Sequence, residues 1–246
     1  GPGEQPEGER HHQPARPERP AQQASVEPFQ RHEDGARPMP RRAAEGIRGQ
    51  RRHHHQGHRQ EMSEQRTPAD GIITGFGKIN GRSAGVVAED FTVKGGSVGV
   101  IHGLKKFRMT QIATQERIPL VWLLDGAGAR AEEYISEGLP MVTHLMNIAR
   151  MSGIAPQVGI VMGPSAGDSS LCGSLLEFII MTKGTGMMAA GGPPVVKAAM
   201  GFDISKEELG GWKVHCVESG VADNPAEDDK DAIATAKLYL SYLPSS

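Results

Sequence analysis

Small-residue loops and one serine carry the chemistry that this sequence of 246 residues could perform. Gly163-Pro164-Ser165-Ala166-Gly167 has the spacing of a nucleophile elbow, in which a serine on a tight strand-to-helix turn is presented for attack. Asp203 and His215 follow it in the acid-then-base order that a hydrolytic triad needs, although they stand close together in sequence. The second loop is Asp125-Gly126-Ala127-Gly128-Ala129-Arg130, placed directly after an apolar run at 118–124. At the carboxyl end of a strand, such a loop lets main-chain N–H groups approach a ligand, and a plain packing turn has the same spacing. Gly95-Gly96 and Gly191-Gly192 precede two further helical patterns. His102, His144 and His215 occur singly, without paired ligand spacing, and read as structural rather than metal-binding. Gly75, Gly77 and Gly81 lack the spacing of a dinucleotide loop and lead into a strand instead of a helix.

From Asp70 onward, short apolar runs alternate with helical patterns, the signature of an α/β domain. Residues 72–79 and 82–89 flank Asn80-Gly81, a dipeptide suited to the positive φ angles of a tight hairpin. Ser97 is placed to cap a helix reaching Gln115, with Ile101, Leu104, Met109 and Ile112 on its inner face. The run at 118–124 is apolar without alternation, as expected of a strand covered on both faces. A helical stretch over 131–151, interrupted at Gly138-Leu139-Pro140, precedes strands at 157–162 and 178–182, with a short helix to Leu176 between them. Ser205 and Glu208 have capping-box spacing. The last helix is expected to begin at Asn224 and to bury Ile233, Ala236, Leu240 and Leu243.

The N-terminal quarter is of another kind. Residues 1–66 contain 12 Arg, 7 His, 8 Pro and no Lys, and Val26 and Ile47 are their only aliphatic residues beyond Ala and Met. Ordering a residue costs about 1–2 kcal/mol of backbone entropy, which this composition cannot offset. Residues 1–66 are therefore expected to be a disordered tail and 67–246 the folded body. His53, His54, His55 and His58 in such a tract would make only a loose metal site. Across the whole chain 27 basic residues face 29 acidic ones, a net charge of -2, which argues against nucleic acid or an anionic membrane as partner. Cys172 and Cys216 alone build neither a disulfide framework nor a four-cysteine zinc site, which points to a reducing compartment. No apolar run approaches the roughly 20 residues needed to span a bilayer. The sequence opens on Gly without an initiator Met, as a processed or partial chain would.

Several motifs in order carry a resemblance: DGIITGFGKINGR at 70–82, EDFTVKGGSVG at 89–99, DGAGAR at 125–130, GPSAGDS at 163–169, GGPPVVKAAMG at 191–201, EELGG at 207–211 and SGVAD at 219–223. Together they resemble the N-terminal half of the carboxyltransferase (beta) subunit of biotin-dependent acyl-CoA and propionyl-CoA carboxylases, a branch of the crotonase-like superfamily. LSYLPSS at 240–246 resembles the boundary between that family's two homologous halves. The resemblance implies an α/β fold built as a crotonase-like spiral of ββα units, an acyl-CoA substrate, and carboxybiotin on a partner carrier protein as carboxyl donor. It also implies a biotin carboxylase and biotin carrier subunit, a second carboxyltransferase half that builds most of the biotin site, an oligomer, and a cytoplasmic or, in a eukaryote, mitochondrial matrix location.

Residue by residue, the Gly167-Asp168 peptide N–H groups match the family's Gly-Gly oxyanion hole, with Asp168 at a usual glycine. Convergent N–H donors there would stabilise the enolate oxygen of a thioester whose α-carbon is being carboxylated. Gly126, Gly128, Ala129 and Arg130 match the loop beside the CoA thioester, where Arg130 could face a CoA phosphate or make an ion pair. Gly95, Gly96, Gly191 and Gly192 are candidates for the pocket wall. The alternatives are a biotin-dependent acyl-CoA decarboxylase subunit with the same enolate chemistry, a serine hydrolase using Ser165, and a non-catalytic CoA-binding remnant.

Overall fold

The computed structural model describes residues 67, 69–130, 133 and 142–244; the expected tail at 1–66 and the expected helix interruption at Gly138-Leu139-Pro140 lie outside the described residues. Strands β1 (Ile72–Ile79) and β2 (Arg82–Glu89) form the hairpin foreseen from Asn80-Gly81, whose φ angles of 52° and 80° turn the chain. The sheet continues in parallel through β3 (Leu120–Leu124) and β4 (Gln157–Val161). Strand β5 (Pro164–Ala166) leaves it to pair with β7 (Met187–Ala189) in a small second sheet. The main sheet is completed by β6 (Phe178–Thr182) and β8 (Asn224–Ala226), giving the order β1-β2-β3-β4-β6-β8.

Both faces of the central strands are covered, as the unbroken apolar run implied. On one face Leu120, Trp122 and Leu124 pack with Ile148, Met151 and Cys172. On the other, Val121, Val158, Ile160 and Ile180 pack against Ala232, Ala236 and Leu240. The latter three belong to α6 (Asp229–Ser241). That helix starts later than the sequence suggested. Asn224 opens β8 at the sheet edge, where Pro225 forfeits no needed N–H, and Asp228 caps the helix by accepting the Asp231 N–H at 2.8 Å.

Helix α1 (Val100–Glu116) departs further from expectation. Gly99, not Ser97, is its N-cap, while the Ser97 hydroxyl donates to Lys94 O at 2.8 Å. Its face is also rotated: Ile101 and Leu104 are 53 % and 51 % exposed, whereas His102 and Lys106 are fully buried beside Met109, Thr110 and Ala113. Helix α2 (Val142–Met151) packs on α1, and α3 (Asp168–Ser174) follows β5. Helix α4 (Pro193–Met200) leads to α5 (Lys206–Gly210), which carries the expected Ser205–Glu208 capping box. A π-helical turn at Lys213–Glu218 had no counterpart in the sequence reading.

Candidate active site

Parallel pairing sets Leu124 of β3 against Val161 of β4, so the loops leaving both strands emerge side by side at one rim of the sheet. Main chain sews them together. Ala166 N–H donates to Gly126 O at 2.9 Å, Ala127 N–H to Gly95 O at 2.8 Å, and Val98 N–H to Gly128 O at 2.6 Å. Gly96 and Gly128 make this approach possible, because both have positive φ (64° and 90°). A Cβ on Gly128 would lie 2.9 Å from Ala166 O, and one on Gly96 would overlap the Asp125 carbonyl. The loop bearing Gly191 and Gly192 joins the same rim: Gly167 N–H donates to Ala189 O at 3.1 Å, and Gly192 is the N-cap of α4.

The loops singled out from sequence are thus neighbours, with individual roles that need correction. The Gly167 N–H is spent on Ala189 and has nothing left for a ligand. The Asp168 N–H, at the first position of α3, makes no hydrogen bond to any described residue, and neither do those of Gly128 and Ala129. Arg130 realises the ion-pair role. Its side chain is 4 % exposed and donates to Asp70 at 2.9 Å, Glu133 at 2.7 Å and Ser97 O at 2.9 Å, so it braces the loop from inside instead of facing a phosphate.

The hydrolytic constellation is not assembled. Ser165 lies within β5, its hydroxyl buried and without a hydrogen-bond partner among the described residues. Asp203 instead pairs with Lys197 on the surface, and His215 contacts Met188 O at 2.8 Å and Ser219 at 3.2 Å.

Beneath the rim lies a buried charge cluster. Lys106 Nζ donates to Glu89 Oε1 at 2.6 Å and to Asp168 Oδ2 at 2.9 Å, with all three side chains essentially without solvent contact. The other Glu89 oxygen accepts from the Asp125 N–H at 2.9 Å and the Ser169 hydroxyl at 2.6 Å. His144 Nε2 lies 2.9 Å from Asp168 Oδ1. The Asp168 carboxylate is therefore drawn into the interior and held in an ion pair with Lys106. Although burial alone would raise Asp168, the Lys106 ammonium and the His144 contacts hold it below the ordinary carboxylate range. Lys106 is pushed above its ordinary value because its carboxylate partners, Glu89 first, outweigh its burial.

His102 is the reverse case: burial, reinforced by Lys106, lowers its pKa to about 2. Its 3.9 Å approach to Glu89 is accordingly a contact of a neutral ring, not an ion pair. Burial next to Glu89 raises Asp125 to about 6, and its unpartnered Oδ1 fills the space over Gly163.

His144, Asp168 and Cys172 bring ligand atoms within 4.8 Å of one another, a spacing a soft metal ion could use. The Lys106 ammonium already supplies positive charge to that carboxylate, and burial pushes the Cys172 thiol well above its ordinary value, away from the thiolate a metal requires. Sequence reasoning passed over Glu89 and Lys106. A signal was present: 102, 106, 109, 110 and 113 form a stripe at helical spacing in which three polar residues, His102, Lys106 and Thr110, share a face with Met109 and Ala113.

Parallel strands, a rim of glycine-rich loops and main-chain donors at a helix start describe a crotonase-like carboxyltransferase fold, and comparison with known proteins agrees. The carboxyl transferase domain family matches residues 48–246, and the chain belongs to that family. It is 37% identical over 179 residues to the methylmalonyl-CoA decarboxylase subunit alpha of Veillonella parvula, covering 73% of this chain and 35% of that protein. Identity to the mitochondrial propionyl-CoA carboxylase beta chain of Homo sapiens is 37% over 179 residues, covering 73% of this chain and 33% of that one. Among solved structures, a transcarboxylase 12S hexamer with methylmalonyl-coenzyme A and methylmalonic acid bound superposes with a TM-score of 0.67 at 38% identity, over 71% of this chain and 34% of its own. The chain spans about a third of the length of these curated relatives. Among the described residues no helix is long and apolar enough to cross a membrane.

Proposed function

We propose that the chain binds a short acyl-CoA at the rim where the 94–99, 125–130 and 163–168 loops meet, and that it stabilises the negative charge developing on the thioester oxygen during carboxyl transfer. The observation that carries this reading is the Asp168 peptide N–H, which opens a helix at that rim with no acceptor among the described residues. Gly128 and Ala129, on the adjoining loop, offer further unbonded amides. Removing one such donor from an acyl-transfer site costs about 2.7–4 kcal/mol of barrier, so main-chain geometry suffices without a nucleophilic side chain. Carboxybiotin on a partner carrier protein would supply the carboxyl group.

In this reading 67–246 is the acyl-CoA half of a carboxyltransferase behind a 1–66 tail, completed by a second half and by biotin carboxylase and carrier subunits in an oligomer. Loss of carboxylate from a malonyl-type thioester passes through the same enolate. The similarity to a decarboxylase subunit therefore keeps that direction as a second reading. Calorimetric titration of the full chain with propionyl-CoA is expected to show saturable binding that free CoA does not match. Failure to bind any short acyl-CoA would contradict the proposal.

A further inference from the structure

We infer that Lys106 is a positioning residue that sets the electrostatic potential at the oxyanion rim by opposing the charge of the two carboxylates beneath it. This deepens the acyl-CoA reading above and rests on it. Three observations carry the inference. Lys106 Nζ bridges Glu89 and Asp168 at 2.6 Å and 2.9 Å in full burial, so its charge is not screened by water. Asp168 carries both a carboxylate and the unbonded N–H of the rim, so any uncompensated charge on that side chain lies a few bonds from the proposed oxyanion donor. Glu89 also holds the Asp125 N–H and the Ser169 hydroxyl, which links the same ammonium to both loops that form the rim.

The carboxylate of Asp168 repels a developing enolate, and Lys106 reduces that repulsion without touching substrate. Lys106 therefore governs how much more tightly an anionic ligand is held than a neutral one of the same shape. A residue with only a packing role would affect both ligands alike.

The test compares two CoA analogues on the full chain: a thioether ending in an anionic nitronate, and a neutral ketone of equal chain length. Lys106→Met is expected to lower the ratio of nitronate to ketone affinity at least tenfold. Asp168→Asn, which removes the opposing charge and leaves Lys106 in place, is expected to raise the ratio. Opposite signs are the signature of electrostatic control, and Lys106→Gln, which also removes the ammonium, is read in the same way should Lys106→Met fail to fold. An unchanged ratio in the folded Lys106 variant would overturn the inference. A fall or no change in the Asp168→Asn ratio, with both analogues bound by the unaltered chain, would overturn this inference and leave the acyl-CoA reading standing. If the unaltered chain binds neither analogue, the acyl-CoA reading falls and takes this one with it.

Discussion

Lys106→Met is expected to lower the stability of the folded body by about 3–5 kcal/mol, the cost of removing one partner from a buried ion pair and leaving the other charged. Here two carboxylates, Glu89 and Asp168, are left at once, and the loss is a large part of the roughly 5–15 kcal/mol that holds a domain folded. With a urea dependence of about 1–3 kcal/mol per molar, the midpoint should fall by roughly 2 M. The pH dependence follows from the directions of the shifts. Asp168 has a folded pKa below its ordinary 3.8, so its contribution is present above that value and is lost as acid protonates it. Lys106 is raised above its ordinary 10.5, so its contribution is present below that value and is lost as the pH climbs beyond it. The stabilisation that the original chain draws from the pair should therefore be present from about pH 4 to about pH 10, and the gap to the variant should narrow as the pH leaves that window on either side. Combining Lys106→Met with Glu89→Gln and Asp168→Asn removes all three charges and should recover most of the loss. An unchanged urea midpoint in the single variant would show that the cluster does not carry its charges as described.

His102→Leu is expected to reduce the acid sensitivity of the protein, with an effect that grows as the pH falls. Both ring nitrogens of His102 are buried without a hydrogen bond to any described residue, and the folded pKa is held at about 2 against an ordinary 6.5. Between those values the unfolded chain binds a proton that the folded one refuses, so stability declines as pH drops from 6.5. Each unit of pH in that window is worth about 1.4 kcal/mol per proton. The difference in unfolding free energy between His102→Leu and the original chain should therefore widen by about 2 kcal/mol in favour of leucine between pH 7 and pH 5. Asp125 acts in the opposite sense. Raised to about 6, it disfavours the fold when ionised and is relieved by acid, so only the paired comparison isolates His102. Parallel urea midpoints for the two proteins across that interval would contradict a neutral buried His102.

The α/β class and most strands were legible because their signals are local. Asn80-Gly81 supplies a turn on its own, and an apolar strand such as Leu120–Leu124 reads the same wherever it is placed. The order of glycine-rich motifs also located the rim, since backbone contact between loops leaves glycine as its trace. Side-chain roles were less legible because they depend on partners remote in sequence. Arg130 turned inward because Asp70, 60 positions away, receives it. Helix α1 was expected to bury Ile101 and Leu104, and instead it buries His102 and Lys106, because Glu89 and Asp168 wait beneath it. A hydrophobic pattern cannot register a face whose burial is driven by charge pairing. The expected start of the last helix at Asn224 failed for a related reason: capping chemistry is present there, but the edge of β6 takes those residues as a strand first. Likewise the spacing around Ser165 suits an elbow, yet pairing of β5 with β7 buries the serine within a strand.

The central claim, that the Asp168 amide receives a thioester oxygen, is tested most directly by amide-resolved NMR of the isotope-labelled chain titrated with a non-hydrolysable propionyl-CoA analogue. The account predicts that the Asp168 amide proton moves downfield to saturation, together with that of Gly128 or Ala129, and that free CoA leaves it in place. Saturation by the analogue with these resonances unmoved, or with the response confined to another surface, would contradict it.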